Sequence, residues 1–216
     1  MNVIGISGKA RSGKDTTANF LRDKYGFVVV HFADALYKEA QEVYKYCTPV
    51  DGDHNIEEYT GVRLENGDVV PVPASFHSSL LREGMKQKDG NFLQWWGTIR
   101  RNHFNRDYWV ERVEDTLANL EAEGVQNVVV ADVRLLNEAN FIKGVGGQLL
   151  RVMRYGPDGA MFIDPSRDPK HESEVELDDY QDFDAILINL HDIQFLCDSA
   201  EELLFKLLPD MTCSLS

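Results

Sequence analysis

The sequence predicts an α/β fold with a mainly parallel sheet of five strands. Three observations carry that expectation. Short β-branched runs recur along the chain, amphipathic helical stretches alternate with them, and a glycine-rich turn joins the first run to the first helix. With 216 residues, 43% of them hydrophobic, the chain can bury one α/β core of ordinary size. A single domain over 1–209 is expected, with a loose tail at 210–216.

Residues 2–6 (NVIGI) form a short β-prone run ending at Ser7-Gly8. Residues 14–25 then place Ala18, Leu21 and Tyr25 at helical spacing, and Gly26 stops that helix. Residues 27–32 (FVVVHF) read as a second strand and 34–46 as a second helix. The stretch 48–90 carries Pro49, Gly52, Gly61, Gly67, Pro71 and Pro73 and holds no period. Within it 63–72 suits a hairpin around Asn66-Gly67, and the whole reads as an insertion or acceptor-side region over the active site.

Helical patterning returns over 92–104 and again over 106–123, where Trp109, Val110, Val113, Leu117 and Leu120 share a face that Gly124 closes. Residues 127–131 (NVVVA) are a buried strand followed at once by Asp132. A helix over 135–143 and a strand over 148–153 come next. Residues 155–175 are a polar, lid-like loop, 184–189 the last strand, and Ala200, Leu203, Leu204, Leu207 and Leu208 the stripe of a final helix.

Composition narrows the partners. The net charge is −14, which argues against long nucleic acids and anionic membranes. No apolar run approaches the roughly 18–20 residues of a membrane span, and no signal peptide is expected, because the N-terminus lacks a basic region and a cleavage site. A cytoplasmic protein is expected. Cys47, Cys197 and Cys213 are odd in number and far apart, so free thiols are expected, and the six histidines lack metal-ligand spacing. A homodimer is compatible with the chain.

Two constellations carry chemistry. Gly8-Lys9-Ala10-Arg11-Ser12-Gly13-Lys14 fits G-x-x-x-x-G-K between a strand and a helix. Its backbone N–H groups and the positive helix end can cradle phosphate oxygens, and Lys14 can reach the β- and γ-phosphates of ATP. A hydroxyl for Mg²⁺ normally follows that lysine, but Asp15 stands there and Thr16 comes one later. Thr16 can replace the hydroxyl. Asp15 can hold a metal-bound water, orient the surroundings of the acceptor phosphate, or only supply favourable charge in the first helical turn.

The second constellation is Val128-Val129-Val130-Ala131-Asp132-Val133-Arg134. Asp132, at the end of a buried strand, is a candidate for Mg²⁺ or its waters. Arg134 can fork onto a phosphate, and Glu138 can face it from one helical turn on. Elsewhere Gly97-Thr98 permits close approach of a ligand beside Arg100-Arg101. Trp109 suits either base stacking or the core, as do Trp95 and Trp96. Arg151, Arg154 and His171-Glu172-Ser173-Glu174 flank or occupy the polar loop, which can close over nucleotides or simply be solvated.

The strings SGKARSGKDTTA, LQWWGT with DYWV, VVVADVRLLNEA, GGQLLRV and HESE resemble, in that order, the bacteriophage deoxynucleoside monophosphate kinases. The resemblance covers nearly the whole chain and is weakest over 48–90. It implies a P-loop three-layer sandwich with sheet order 2-3-1-4-5, and ATP-dependent phosphorylation of deoxynucleoside monophosphates with Mg²⁺. It places Lys14, Asp15 and Thr16 at the ATP and metal end, beside the turn residues Gly8, Lys9, Arg11, Ser12 and Gly13 expected to bind ATP. It places Gly97, Thr98, Trp109, Asp132, Arg134 and Glu138 at the acceptor end, where Arg101 is expected to join them. Ile99 stands where an acidic residue is common in that family, and His171-Glu172 where His-Pro is commoner. A kinase of another small phosphorylated acceptor, phosphomevalonate-like, and an ATP-binding or ATP-hydrolysing module are the competing readings.

Overall fold

A computed structural model describes residues 1–50, 61–165, 169–190 and 192–209. The expected tail at 210–216 lies outside them. The chain divides into two compact units, one of Met1–Phe32 with Val113–Ser216 and one of Ala33–Arg112. The second takes in the whole of 48–90 and more on either side.

The first unit is an α/β layer structure. β1 (Asn2–Ser7) runs into the glycine-rich turn and α1 (Lys14–Tyr25), which ends where Gly26 N–H bonds back to the last turn. β2 covers only Val28–Val30, shorter than the apolar run suggests, because α2 (Phe32–Gln41) already begins at Phe32. The Phe32 N–H donates to Asp132 Oδ1 at 2.7 Å, so an acceptor a hundred residues away starts the helix that the sequence placed two residues later. α2 also stops short of Tyr46. The Ala40 carbonyl is taken by Met85 N–H at 2.9 Å, and a 3-10 turn over Val43–Lys45 follows.

Within the second unit, β3 (Cys47–Pro49), β4 (Gly61–Leu64) and β5 (Val69–Pro71) form a small antiparallel sheet. The Asn66-Gly67 hairpin is present, with Asn66 Oδ1 accepting from Asp68 N–H at 3.0 Å. α3 (Gly90–His103) starts at Asp89, whose Oδ1 accepts from the N–H groups of Asn91 and Phe92. α4 (Tyr108–Ala122) follows, and from Val113 on it belongs to the first unit. The core of this unit gathers Val43, Val62, Val70, Leu80, Phe92 and Trp96.

The remaining elements complete the first unit: β6 (Asn127–Val133), α5 (Leu136–Gly144), β7 (Gln148–Arg154), α6 (Glu172–Val175), β8 (Ala185–Asn189) and α7 (Ile193–Leu207). The large sheet is entirely parallel, in the order β2-β6-β1-β7-β8. The numerals differ from 2-3-1-4-5 because three strands of the small sheet intervene in the chain. Ranked among themselves, the five parallel strands do run 2-3-1-4-5. Ile4, Ile6, Ala18, Leu21, Val129, Val152, Leu187 and Leu196 pack between sheet and helices. The order puts the C-terminal ends of β1, β6 and β7 side by side, which is where ligands sit in open α/β sheets. No described helix is long and apolar enough to cross a membrane.

Candidate active site

β1 is buried to its last residue, so the turn that follows leaves the sheet from a rigid base. The turn curls tightly. Gly8 has φ 148° and Gly13 φ 116°, and Arg11 has φ 56°. A Cβ on Gly8 would sit 2.3 Å from the Val152 carbonyl oxygen of the neighbouring strand, so only glycine fits there. Asn189, the last residue of β8, also clamps the turn, its Nδ2 donating to the Ser12 carbonyl at 2.8 Å. Arg154 Nη1 donates to the Arg11 carbonyl, and Arg11 pairs with Asp164 at 3.1 Å.

Lys14 folds back into this loop. Its Nζ donates to the carbonyls of Gly8 at 2.7 Å and Lys9 at 2.8 Å, and the residue is 5% exposed. Burial, reinforced by the Arg134 guanidinium, lowers its pKa to about 8, while Asp15, Glu174 and Asp132 pull the other way. The same interactions place Lys14, Asp15, Asp132, Arg134 and Glu174 in one electrostatic neighbourhood. Asp15 and Thr16 stand in the first turn of α1, exposed and half-buried respectively.

Asp132 lies inside β6 rather than after it, and one of its oxygens holds the start of α2. Glu138 takes a different part from the expected one. Its Oε2 accepts from the backbone N–H groups of Arg134 at 2.7 Å and Leu135 at 3.0 Å, fixing the strand-to-helix corner. The guanidinium of Arg134 pairs instead with Glu174, Nη1 to Oε1 at 2.7 Å. Glu174 also accepts from Ala10 N–H, in the glycine-rich turn, at 3.1 Å. Lys9 reaches the Glu174 carbonyl and Asp178, each at 2.8 Å, and Arg151 holds Asp178 at 2.7 Å. The sequence marked HESE as a loop able to close. It held no local sign of these pairings, whose partners lie 40 and 164 positions away.

Gly97, Thr98, Arg101 and Trp109 belong to the second unit. Arg101 Nη2 donates to Thr98 Oγ1 at 3.4 Å. Trp109 is 5% exposed, its indole N–H donating to the Gly97 carbonyl at 3.1 Å, so it supports that helix from the core and offers no open ring face for stacking. Trp96 and Arg100 are fully buried, and Arg100 is committed to Glu39 and Glu65, which removes it from the arginine pair as a free phosphate ligand.

No known family model matches the sequence. A protein of Acanthamoeba polyphaga mimivirus named "Putative deoxynucleotide monophosphate kinase" is 30% identical over 190 residues, 88% of this chain and 89% of the relative. Among solved structures, the dephospho-CoA kinase from Campylobacter jejuni is similar in fold, with a TM-score of 0.50 and 12% identity over 95% of this chain and 97% of that one. A tightly curled glycine-rich turn on a parallel sheet and a relative matched along almost the full length of both chains lead to one conclusion: this chain belongs to the deoxynucleotide monophosphate kinase family.

Proposed function

We propose that the protein transfers the γ-phosphoryl group of ATP to deoxynucleoside monophosphates, giving ADP and the corresponding diphosphates. The carrying observation is the turn Gly8–Lys14, curled at the end of β1 with Lys14 folded into it and Arg134 nearby, immediately after β6. In this reading an oxygen of the acceptor phosphate bonds to the γ-phosphorus as the bond to the β,γ-bridging oxygen breaks. Gly8, Lys9, Arg11, Ser12 and Gly13 shape the cradle, and Lys14 leaves its carbonyl contacts for the phosphate charge. Arg134 grips the acceptor phosphate with two parallel N–H bonds, and Gly97, Thr98 and Arg101 serve the acceptor side.

The oxygen donors Asp15, Thr16 and Asp132 fit Mg²⁺, a hard cation that takes carboxylate, hydroxyl and phosphate oxygens. Among the described residues no three His, Cys, Asp or Glu side chains form a cage of their own, which suits an ion that arrives on ATP. Mg²⁺ would supply neutralisation of the charge on the phosphates. Thr16, standing one residue past the usual hydroxyl position, is assigned the metal side. A Mg²⁺ titration of activity checks this: Thr16→Ala raises the requirement more than Asp15→Asn, and the reverse ranking moves the role to Asp15.

The function itself is tested by coupled ADP release over a panel of deoxynucleoside monophosphates, with other phosphorylated acceptors alongside. Release that depends on a deoxynucleoside monophosphate supports the reading. Release with another acceptor only, or with none, overturns it.

A further inference from the structure

The glycine-rich turn is already engaged by an anion, and that anion belongs to the chain. Glu174 is a carboxylate with its side chain 7% exposed. One oxygen accepts from Ala10 N–H at 3.1 Å, and the other from Arg134 Nη1 at 2.7 Å. These are the two kinds of donor that a phosphate oxygen would take, a turn N–H and a guanidinium.

The segment carrying Glu174 is fastened at further points. His171 Nδ1 caps α6 by accepting from Ser173 N–H at 3.2 Å. Lys9 donates to the Glu174 carbonyl, Lys9 and Arg151 share Asp178, and Arg151 also donates to the Leu177 carbonyl. A solvated loop would not hold the Glu174 carboxylate out of water between Arg134 and the turn.

We propose that Glu174 is an internal stand-in for a nucleotide phosphate: a latch that holds the cradle and Arg134 together until the triphosphate displaces it. Displacement frees the Ala10 N–H and the Arg134 guanidinium in one event, so donor binding releases the arginine that the acceptor phosphate uses. A protein whose binding-competent state is only partly populated binds with an affinity reduced by that fraction. Loosening the latch therefore tightens triphosphate binding, whereas removing an ordinary binding residue weakens it.

The proposal rests on the reading of Gly8–Lys14 as a triphosphate cradle. Its test needs no acceptor. The full chain and Glu174→Gln are titrated calorimetrically with MgATP and, separately, with inorganic tripolyphosphate, after thermal melts show both proteins folded. Glu174→Gln is expected to bind both probes about tenfold tighter, the change that follows from losing one competing charged hydrogen bond. His171→Ala, which removes the cap of α6 without altering a side chain of the turn or its partners, is expected to tighten both by a smaller factor, and it decides the matter if Glu174→Gln does not fold. Unchanged or weaker binding overturns the latch. If deoxynucleoside monophosphates are phosphorylated yet no tightening is seen, the latch fails alone. If both probes bind tighter but no acceptor is phosphorylated, the kinase reading fails alone.

Discussion

Lys14 is held on two carbonyls with its pKa lowered to about 8 by burial and by Arg134. Below pH 8 the amine is charged in both folded and unfolded chains, and the cost of burying it is fully present. Between about pH 8 and 10.5 the unfolded chain binds more protons at this position, so its contribution to stability rises with pH. Urea melts of the wild type and Lys14→Met at pH 7 and pH 10.5 should show their stability difference moving in favour of the wild type, by about 3 kcal/mol at most. A difference independent of pH would mean that the amine is not buried as a cation. Arg134 is read by a different measurement. Arg134→Lys should lower kcat/KM for the acceptor by the equivalent of about 2–5 kcal/mol, because lysine cannot reproduce a two-pronged guanidinium grip. It should not weaken ATP binding, since the ATP phosphates are assigned to the turn and to Lys14. Steady-state kinetics with each substrate varied, plus direct ATP titration, separate the two terms. Loss of ATP affinity would place Arg134 on the donor side.

Elements whose limits depend on local chemistry were legible in the sequence. α1 spans the predicted 14–25, between two glycines, and the Asn66-Gly67 turn joins the strands expected of it. Limits set from afar were not. β2 ends early because Asp132 claims the Phe32 N–H, and α2 ends early because Met85 claims the Ala40 carbonyl. The glycine-rich turn shows how an element can depend on its neighbour. Gly8→Ala must place a methyl group against the Val152 carbonyl oxygen at 2.3 Å, and backbone cannot give way there. Gly26→Ala puts its methyl in open space at φ 70° and meets only left-handed strain. Denaturant titration should show Gly26→Ala costing about 1–2 kcal/mol and Gly8→Ala clearly more, on the order of 3 kcal/mol or above, with ATP binding lost. Equal costs would mean that the turn is looser than the contact distance implies.

In the molecule as a whole, the glycine-rich turn was the most legible part of the candidate site and the surroundings of Gly97 and Thr98 the least. The turn is built from seven consecutive residues, whereas Glu39, which organises the core of the second unit, has no motif around it. Its carboxylate accepts from Trp96 Nε1 at 2.9 Å, from Tyr108 OH at 2.8 Å and from Arg100 Nε. The Arg100 guanidinium is wholly buried among Tyr46, Trp96, Phe104 and Tyr108. Glu39→Gln should therefore destabilise the protein by about 3–5 kcal/mol, the cost of breaking one partner out of a buried ion pair. A midpoint shift in guanidinium chloride reads it, and a shift near zero would show that Glu65 alone satisfies Arg100. The parallel sheet has a consequence in time as well. β1 is made first but lies in the middle of the sheet, and Asn2 pairs with Asn127, 125 positions later. At about 5–20 residues per second, its apolar edges wait roughly 6–25 seconds on the ribosome before either neighbour exists. During synthesis, the strand that leads into the glycine-rich turn is thus the first of the five to emerge and among the last to be sheltered.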